Sequence, residues 1–124
     1  MPSIVDLIRR VRTLQRQYFG SRSAAVLDAL RPLEAELRAE VTSYKATDPE
    51  VWHLMETAAS MLTYQKAWME AVAFERLIPA SATTESREKA AAKVRRLEAT
   101  CRSLEKKTDA ALDRLERPQL PGLS

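Results

Sequence analysis

Apolar residues recur along this chain at spacings of three and four, and no segment alternates at period two for long enough to form a strand. That pattern predicts helices throughout. Ile4, Leu7, Ile8, Val11, Leu14 and Tyr18 share one face of a first helix. Ser3-Ile4-Val5-Asp6 resembles a capping box with Asp in place of Glu, and it opens this helix. Gly20 suits the left-handed residue that follows a helix, which predicts an end at Phe19. After a short loop with Ser21 and Ser23 as candidate caps, Val26, Leu30, Leu33, Leu37, Val41 and Tyr44 line one side of a second helix. Pro32 falls inside it and removes the hydrogen bond to the Asp28 carbonyl. The apolar phase passes through Pro32 unchanged, so one kinked helix is expected, with a break at Leu30-Arg31 as the alternative.

The stretch Pro49–Ile78 is the centre of the pattern. Asp48-Pro49 is a helix start, a capping carboxylate followed by a residue whose missing N–H costs nothing in the first turn. Pro79 pushes Ile78 out of helical space and stops the helix. His53, Glu56, Thr57, Ser60 and Thr63 form a narrow polar strip. Val51, Trp52, Met55, Ala58, Leu62, Met69 and Val72 occupy much of the remaining perimeter, so this helix requires neighbours on more than one side. Ala46-Thr47-Asp48 makes the turn into it. In the last helix, capped by Thr83 or Thr84, the positions Ala90, Val94, Leu97, Cys101, Leu104, Thr108, Ala111 and Leu115 alternate by four and three, as in a coiled-coil seam.

Four helices with short connections predict an all-α, antiparallel up-down four-helix bundle with a short first helix and long third and fourth helices. Residues 1–117 are expected to form its single domain, and the Pro- and Gly-containing residues 118–124 a disordered tail. The helix ending at Phe19 would be about 24 Å long, against about 45 and 50 Å for the third and fourth. The first helix is therefore expected to cover only the half of the bundle near Gly20 and the 79–83 loop. The opposite half, with Val51, Trp52, Met55, Leu104, Ala111 and Leu115, is then expected to lack a fourth wall. An exposed apolar face of that kind marks an interface, closed by a second copy of the chain or by another protein.

Composition narrows the class. Of 124 residues, 45% are hydrophobic and 30% charged, with only two glycines, which fits one globular helical domain. No stretch is long and apolar enough to span a membrane, and Asp6 with the early arginines argues against a secretory signal. The single cysteine excludes an internal disulfide, so a reducing cytoplasmic compartment is expected. Net charge is only +3, but the positive charge gathers on the first and last helices. Arg9, Arg12 and Arg16 line up opposite the apolar face of the first helix, with Arg10 beside them. Lys89, Lys93 and Arg96 extend a basic surface on the last helix if the two are neighbours. Arginine forks suit phosphates, which makes nucleic acid a candidate partner; pairing with carboxylates of the second helix or of another subunit is the competing reading.

Residues for catalysis are scarce. His53 is the only histidine, so neither a histidine triad nor a multi-histidine metal site can form within one chain; it reads as a surface residue. Cys101 lies on the seam, where cysteine behaves as a small hydrophobe. Glu50-Val51-Trp52-His53 matches the Glu-x-x-His element of di-metal bundles once, without the second copy such a centre requires. Glycine loops for phosphate and paired cysteines for zinc are absent. No enzyme activity, metal or cofactor is expected.

Leu14-Gln15-Arg16-Gln17-Tyr18-Phe19, then Arg22, then Leu33-Glu34-Ala35-Glu36-Leu37 resemble the small helical-hairpin proteins encoded by phages and prophages. The likeness spans residues 7–41 and implies a helical hairpin, with no activity to carry over. In architecture, a short basic four-helix chain is similar to the accessory proteins of diversity-generating retroelements, which implies oligomerisation and nucleic-acid binding. The expected function is therefore a non-catalytic interaction or oligomerisation protein using the uncovered half of the third and fourth helices. A nucleic-acid-binding accessory protein is the alternative.

Overall fold

The computed structural model describes residues 4–43 and 48–116. They form four helices, α1 (Ile4–Ser21), α2 (Ala24–Ser43), α3 (Pro49–Arg76) and α4 (Thr84–Glu116), with no strand among the described residues. The cap expected at Ser3, Tyr44, the Ala46-Thr47 turn and the 118–124 tail lie outside the described residues.

Most boundaries follow from local chemistry. The Asp48 carboxylate accepts from the Glu50 backbone N–H at 2.9 Å and Pro49 occupies the first turn of α3, so a donor that the helix leaves unpaired is satisfied. At the other end Leu77 closes α3, its N–H donating to the Phe74 carbonyl at 3.0 Å. Thr83 caps α4, its hydroxyl accepting from the Ser86 N–H at 3.1 Å. α2 runs through Pro32 as one helix.

The end of α1 differs from expectation. The helix continues past Gly20 to Ser21, and the left-handed residue is Arg22, with φ of 54°. A side chain in that conformation costs energy. Two contacts offset it: the Arg22 N–H donates to the Tyr18 carbonyl at 2.6 Å, and its guanidinium lies 5.7 Å from the Tyr18 ring centre and 5.6 Å from that of Phe19.

Successive helices run antiparallel. Going up α1, Arg12 meets Asp109 and Phe19 meets Arg102, so α1 opposes α4; Gln15 also meets Gln65 of α3, the hairpin partner of α4. α3 and α4 pack against each other most extensively, α1 and α2 form the second pair, and the two hairpins meet over fewer close backbone approaches. The core lies where α1 starts, α3 starts and α4 ends. Ile8, Val11, Leu37, Leu54, Ala58, Met61 and Leu62 are its fully enclosed members, with Ala111 and Leu112 closing it from α4.

This position reverses the expected coverage. The start of α3 and the end of α4 are walled by α1 and α2, and Met55 and Ala111 are buried there at 5% and 6% exposure. Val51, Leu104 and Leu115 are half-buried against the same core. The reason is the short connection from Ser43 to Pro49. It ties the end of α2, and with it the start of α1, to the start of α3. At 20 residues, α2 climbs only about 30 Å from that anchor, against about 42 Å for α3. The rods do mismatch in length, but the surplus projects at the opposite end, beyond the α1–α2 turn.

Helix α1 carries a glycine in its last turn although nothing requires one. A Cβ added at Gly20 meets no atom within 4 Å. Gly20→Ala is therefore expected to stabilise the fold by about 0.5–1 kcal/mol, read as a higher urea midpoint. A lower midpoint would mean that Gly20 carries the turn's left-handed geometry.

Candidate functional site

Above the apolar core lies a layer of polar side chains, buried on α1, α3 and α4 and joined by the half-buried Glu34 of α2. Gln15 is 2% exposed and Gln65 8% exposed, and the two amides pair face to face. The Gln15 amide nitrogen donates to the Gln65 Oε1 and to the Glu34 Oε2, each at 2.8 Å. The Gln65 nitrogen donates back to the Gln15 Oε1 at 3.2 Å and to the Glu105 Oε2 at 2.8 Å. Arg12 donates to the same Gln15 oxygen at 2.7 Å and binds Asp109 with two nitrogens, at 2.8 and 3.0 Å. Arg102 donates to both Glu105 oxygens and covers the Phe19 and Trp68 rings at 5.0 and 5.5 Å. Both amide protons of each glutamine are thus used, as burial demands. Thr57 and Thr108, also buried, donate to the carbonyls one turn earlier, those of His53 and Leu104. Thr57 was expected on the polar strip of α3; its backbone hydrogen bond is what lets it sit inside.

This layer changes the meaning of the arginine stripe. Arg12, expected on a solvated face, is 4% exposed and spent on Asp109 and Gln15. Arg16 pairs with Asp109 at 3.3 Å, and Arg9 binds Glu116 and Asp6. The Glu116 hydrogen bond, followed by that of Asp6, raises the Arg9 pKa above its ordinary value. Among the described residues, the carboxylates that pair with Arg9, Arg12 and Arg16 belong to α4 and to α1 itself. α1 and α4 are neighbours as expected, but their antiparallel register sets the stripe against the acidic end of α4. Lys89, Lys93 and Arg96 stay exposed at the far end of that helix, with Lys89 facing Glu85 at 3.4 Å. Arg10 is exposed on α1. The residues grouped as one basic surface are therefore two separate sets.

Of the residues expected to form the interface, Trp52 is strongly exposed, at 52%. Larger exposure occurs where α3 outruns its cover: Met69 at 56%, Phe74 at 66% and Leu77 at 81%. Met69, Ala73 and Leu77 are four apart, so they share one line along the helix, and Phe74 lies beside it. Between this strip and the polar layer, the α1–α2 turn stands off α3 and leaves a cavity of about 430 Å³. Phe19, Leu27, Leu30, Trp68 and Val72 wall it, Gln15, Gln65 and Glu34 close its lower end, and Arg22, Arg31 and Arg76 also line it.

His53 is exposed at the start of α3 and Cys101 is fully buried. Burial pushes the Cys101 thiol above its ordinary value of 9.0, with the Glu105 charge adding to the shift and Arg102 opposing it. No group of three or more His, Cys, Asp or Glu side chains among the described residues is placed to hold a metal ion, and no helix is long and apolar enough to cross a membrane. The polar layer escaped the sequence reading, although its phase is visible. Gln15 follows Val11 by four, Gln65 follows Met61 by four, and Glu105 follows Cys101 by four. Comparison with protein-family models, curated proteins and solved structures finds no match for this chain.

Replacing the buried arginine should separate structural from surface pairing. Arg12→Leu is expected to cost about 2–3 kcal/mol in urea unfolding, because it strips donors from a carboxylate and a buried amide. Arg16→Ala, whose side chain is 55% exposed, should cost less than about 1 kcal/mol. Equal losses would place both arginines in one solvated stripe. For Cys101 the folded pKa lies above the unfolded one, so its contribution to stability is full below pH 9.0 and is lost as pH rises through the folded value. A thiol reagent should accordingly modify native protein only at the rate at which the bundle opens.

Proposed function

We propose that this chain is a non-catalytic helical interaction protein that associates through the part of α3 and α4 projecting beyond the α1–α2 turn, with a second copy of the chain as the first occupant to consider. The reading rests on one observation: Met69 and Phe74 in the last turns of α3 and Leu77 just past its end, all large and apolar, are more than half exposed. Isolated apolar residues on a surface need no explanation, but a contiguous strip favours burial against a partner. A two-helix projection is also self-complementary in form. Two such hairpins laid together under a two-fold axis make a four-helix layer, with each apolar strip buried on the other copy.

The alternative, contact with nucleic acid, would now draw on Lys93, Arg95 and Arg96 of α4 rather than on α1, whose Arg9, Arg12 and Arg16 already hold carboxylates. Salt distinguishes the two readings. Association through an apolar strip should respond little to ionic strength, whereas phosphate contacts should weaken steeply.

Sedimentation across a concentration series is expected to show reversible self-association. The double variant Phe74→Ser, Leu77→Ser should weaken it by at least about a hundredfold while leaving the thermal midpoint nearly unchanged, because each lost contact is worth about 1.5–3 kcal/mol and neither residue belongs to the core. A monomer at every concentration, or association indifferent to the double variant, would refute the proposal for a second copy.

A further inference from the structure

We infer that the cavity between the α1–α2 turn and α3 binds a small amphipathic carboxylate, a medium-chain fatty acid in chemical class, with its chain inside the cavity and its charge among Arg22, Arg31 and Arg76. Two independent features lead there. The volume, about 430 Å³, falls in the range of small-molecule sites, and Phe19, Leu27, Leu30, Trp68 and Val72 give the cavity apolar walls. From Gln65 to Arg76 the cavity follows three turns of α3, about 16 Å, which suits an extended chain of moderate length.

The charge is the second feature. Elsewhere on the molecule, arginines next to the core meet carboxylates: Arg9, Arg12, Arg16 and Arg102 all do so. Around the cavity, Arg22 stacks on two aromatic rings, and neither Arg22, Arg31 nor Arg76 meets a carboxylate among the described residues. The one acidic residue lining the cavity, Glu34, accepts a hydrogen bond from Gln15, within the polar layer. Three guanidiniums against one occupied carboxylate favour an anion, and guanidinium forks hold carboxylates with two parallel bonds. Trp68, whose indole Nε1 is buried without an acceptor, lines the same cavity, so its emission reports on an occupant.

The site adjoins the strip proposed above for association: Met69 and Ala73 border both, whereas Phe74 and Leu77 do not line the cavity. Trp52→Phe removes the exposed tryptophan at the other end of α3 and leaves Trp68 as the sole reporter. In that variant, decanoate below its micelle concentration is expected to bind saturably, with a change in Trp68 emission and a matching calorimetric signal. Decanol should bind about tenfold more weakly or worse, and decyltrimethylammonium should not compete. Arg31→Glu with Arg76→Glu, both at exposed positions, should weaken decanoate about tenfold or more and spare the thermal midpoint. Phe74→Ser with Leu77→Ser should leave decanoate binding intact whether or not it alters self-association. Absence of saturable binding, equal binding of decanol and decanoate, indifference to the arginine changes, or loss of binding in the Phe74, Leu77 variant would each overturn the assignment.

Discussion

The reciprocal amide pair of Gln15 and Gln65 organises this bundle. Each glutamine reaches a carboxylate on a further helix, Glu34 on α2 and Glu105 on α4, so one continuous set of hydrogen bonds spans all four helices. Apolar side chains slide past one another at little cost, but buried amides do not. A shift of one turn in any helix would leave donors unpaired in a medium where each costs about 1–3 kcal/mol. The layer therefore acts on register more than on total stability. Arg12 and Arg102 extend it outward on either side, the first to Asp109 and the second to the aromatic rings of Phe19 and Trp68.

That register places everything else. Below the layer the four helices close around Ile8, Val11, Leu37, Leu54, Met61 and Leu62. Above it α1 and α2 stop, because both are shorter than α3 and α4 and both are anchored at the lower end through the short link to Pro49. The molecule thus grades from a dry core, through a polar layer, to an open cavity, and finally to a projecting pair of helices with Met69, Phe74 and Leu77 on its surface. The cavity and the exposed strip have one origin. Each arises where a long hairpin continues after its partner has turned back.

Much of the fold was legible in the residues, and particular elements show why. The start of α3 needed only Asp48 and Pro49, the start of α4 only Thr83, and the continuity of α2 only the unbroken phase of its leucines across Pro32. These are local events, decided within one turn of helix. The seam of α4 was equally readable, from Ala90 and Cys101 to Thr108 and Ala111, all of them buried. The end of α1 was not, because the stacking of Arg22 on Tyr18 and Phe19 outweighs the preference for glycine, and ring stacking leaves no periodic signature. Nor was the burial of Arg12, whose partner Asp109 lies 97 residues away.

By itself the sequence determined four helices, most of their limits, their amphipathic faces and their unequal lengths, because each depends on contacts between residues a few positions apart. Only the tertiary structure decided which end of the long hairpin is covered, which arginines are spent on carboxylates, and where apolar surface remains exposed. Those outcomes depend on how rods of different length are set against one another, and the setting comes from polar partners far apart in the chain, with the short link before Pro49, itself readable in the residues, holding only the lower end.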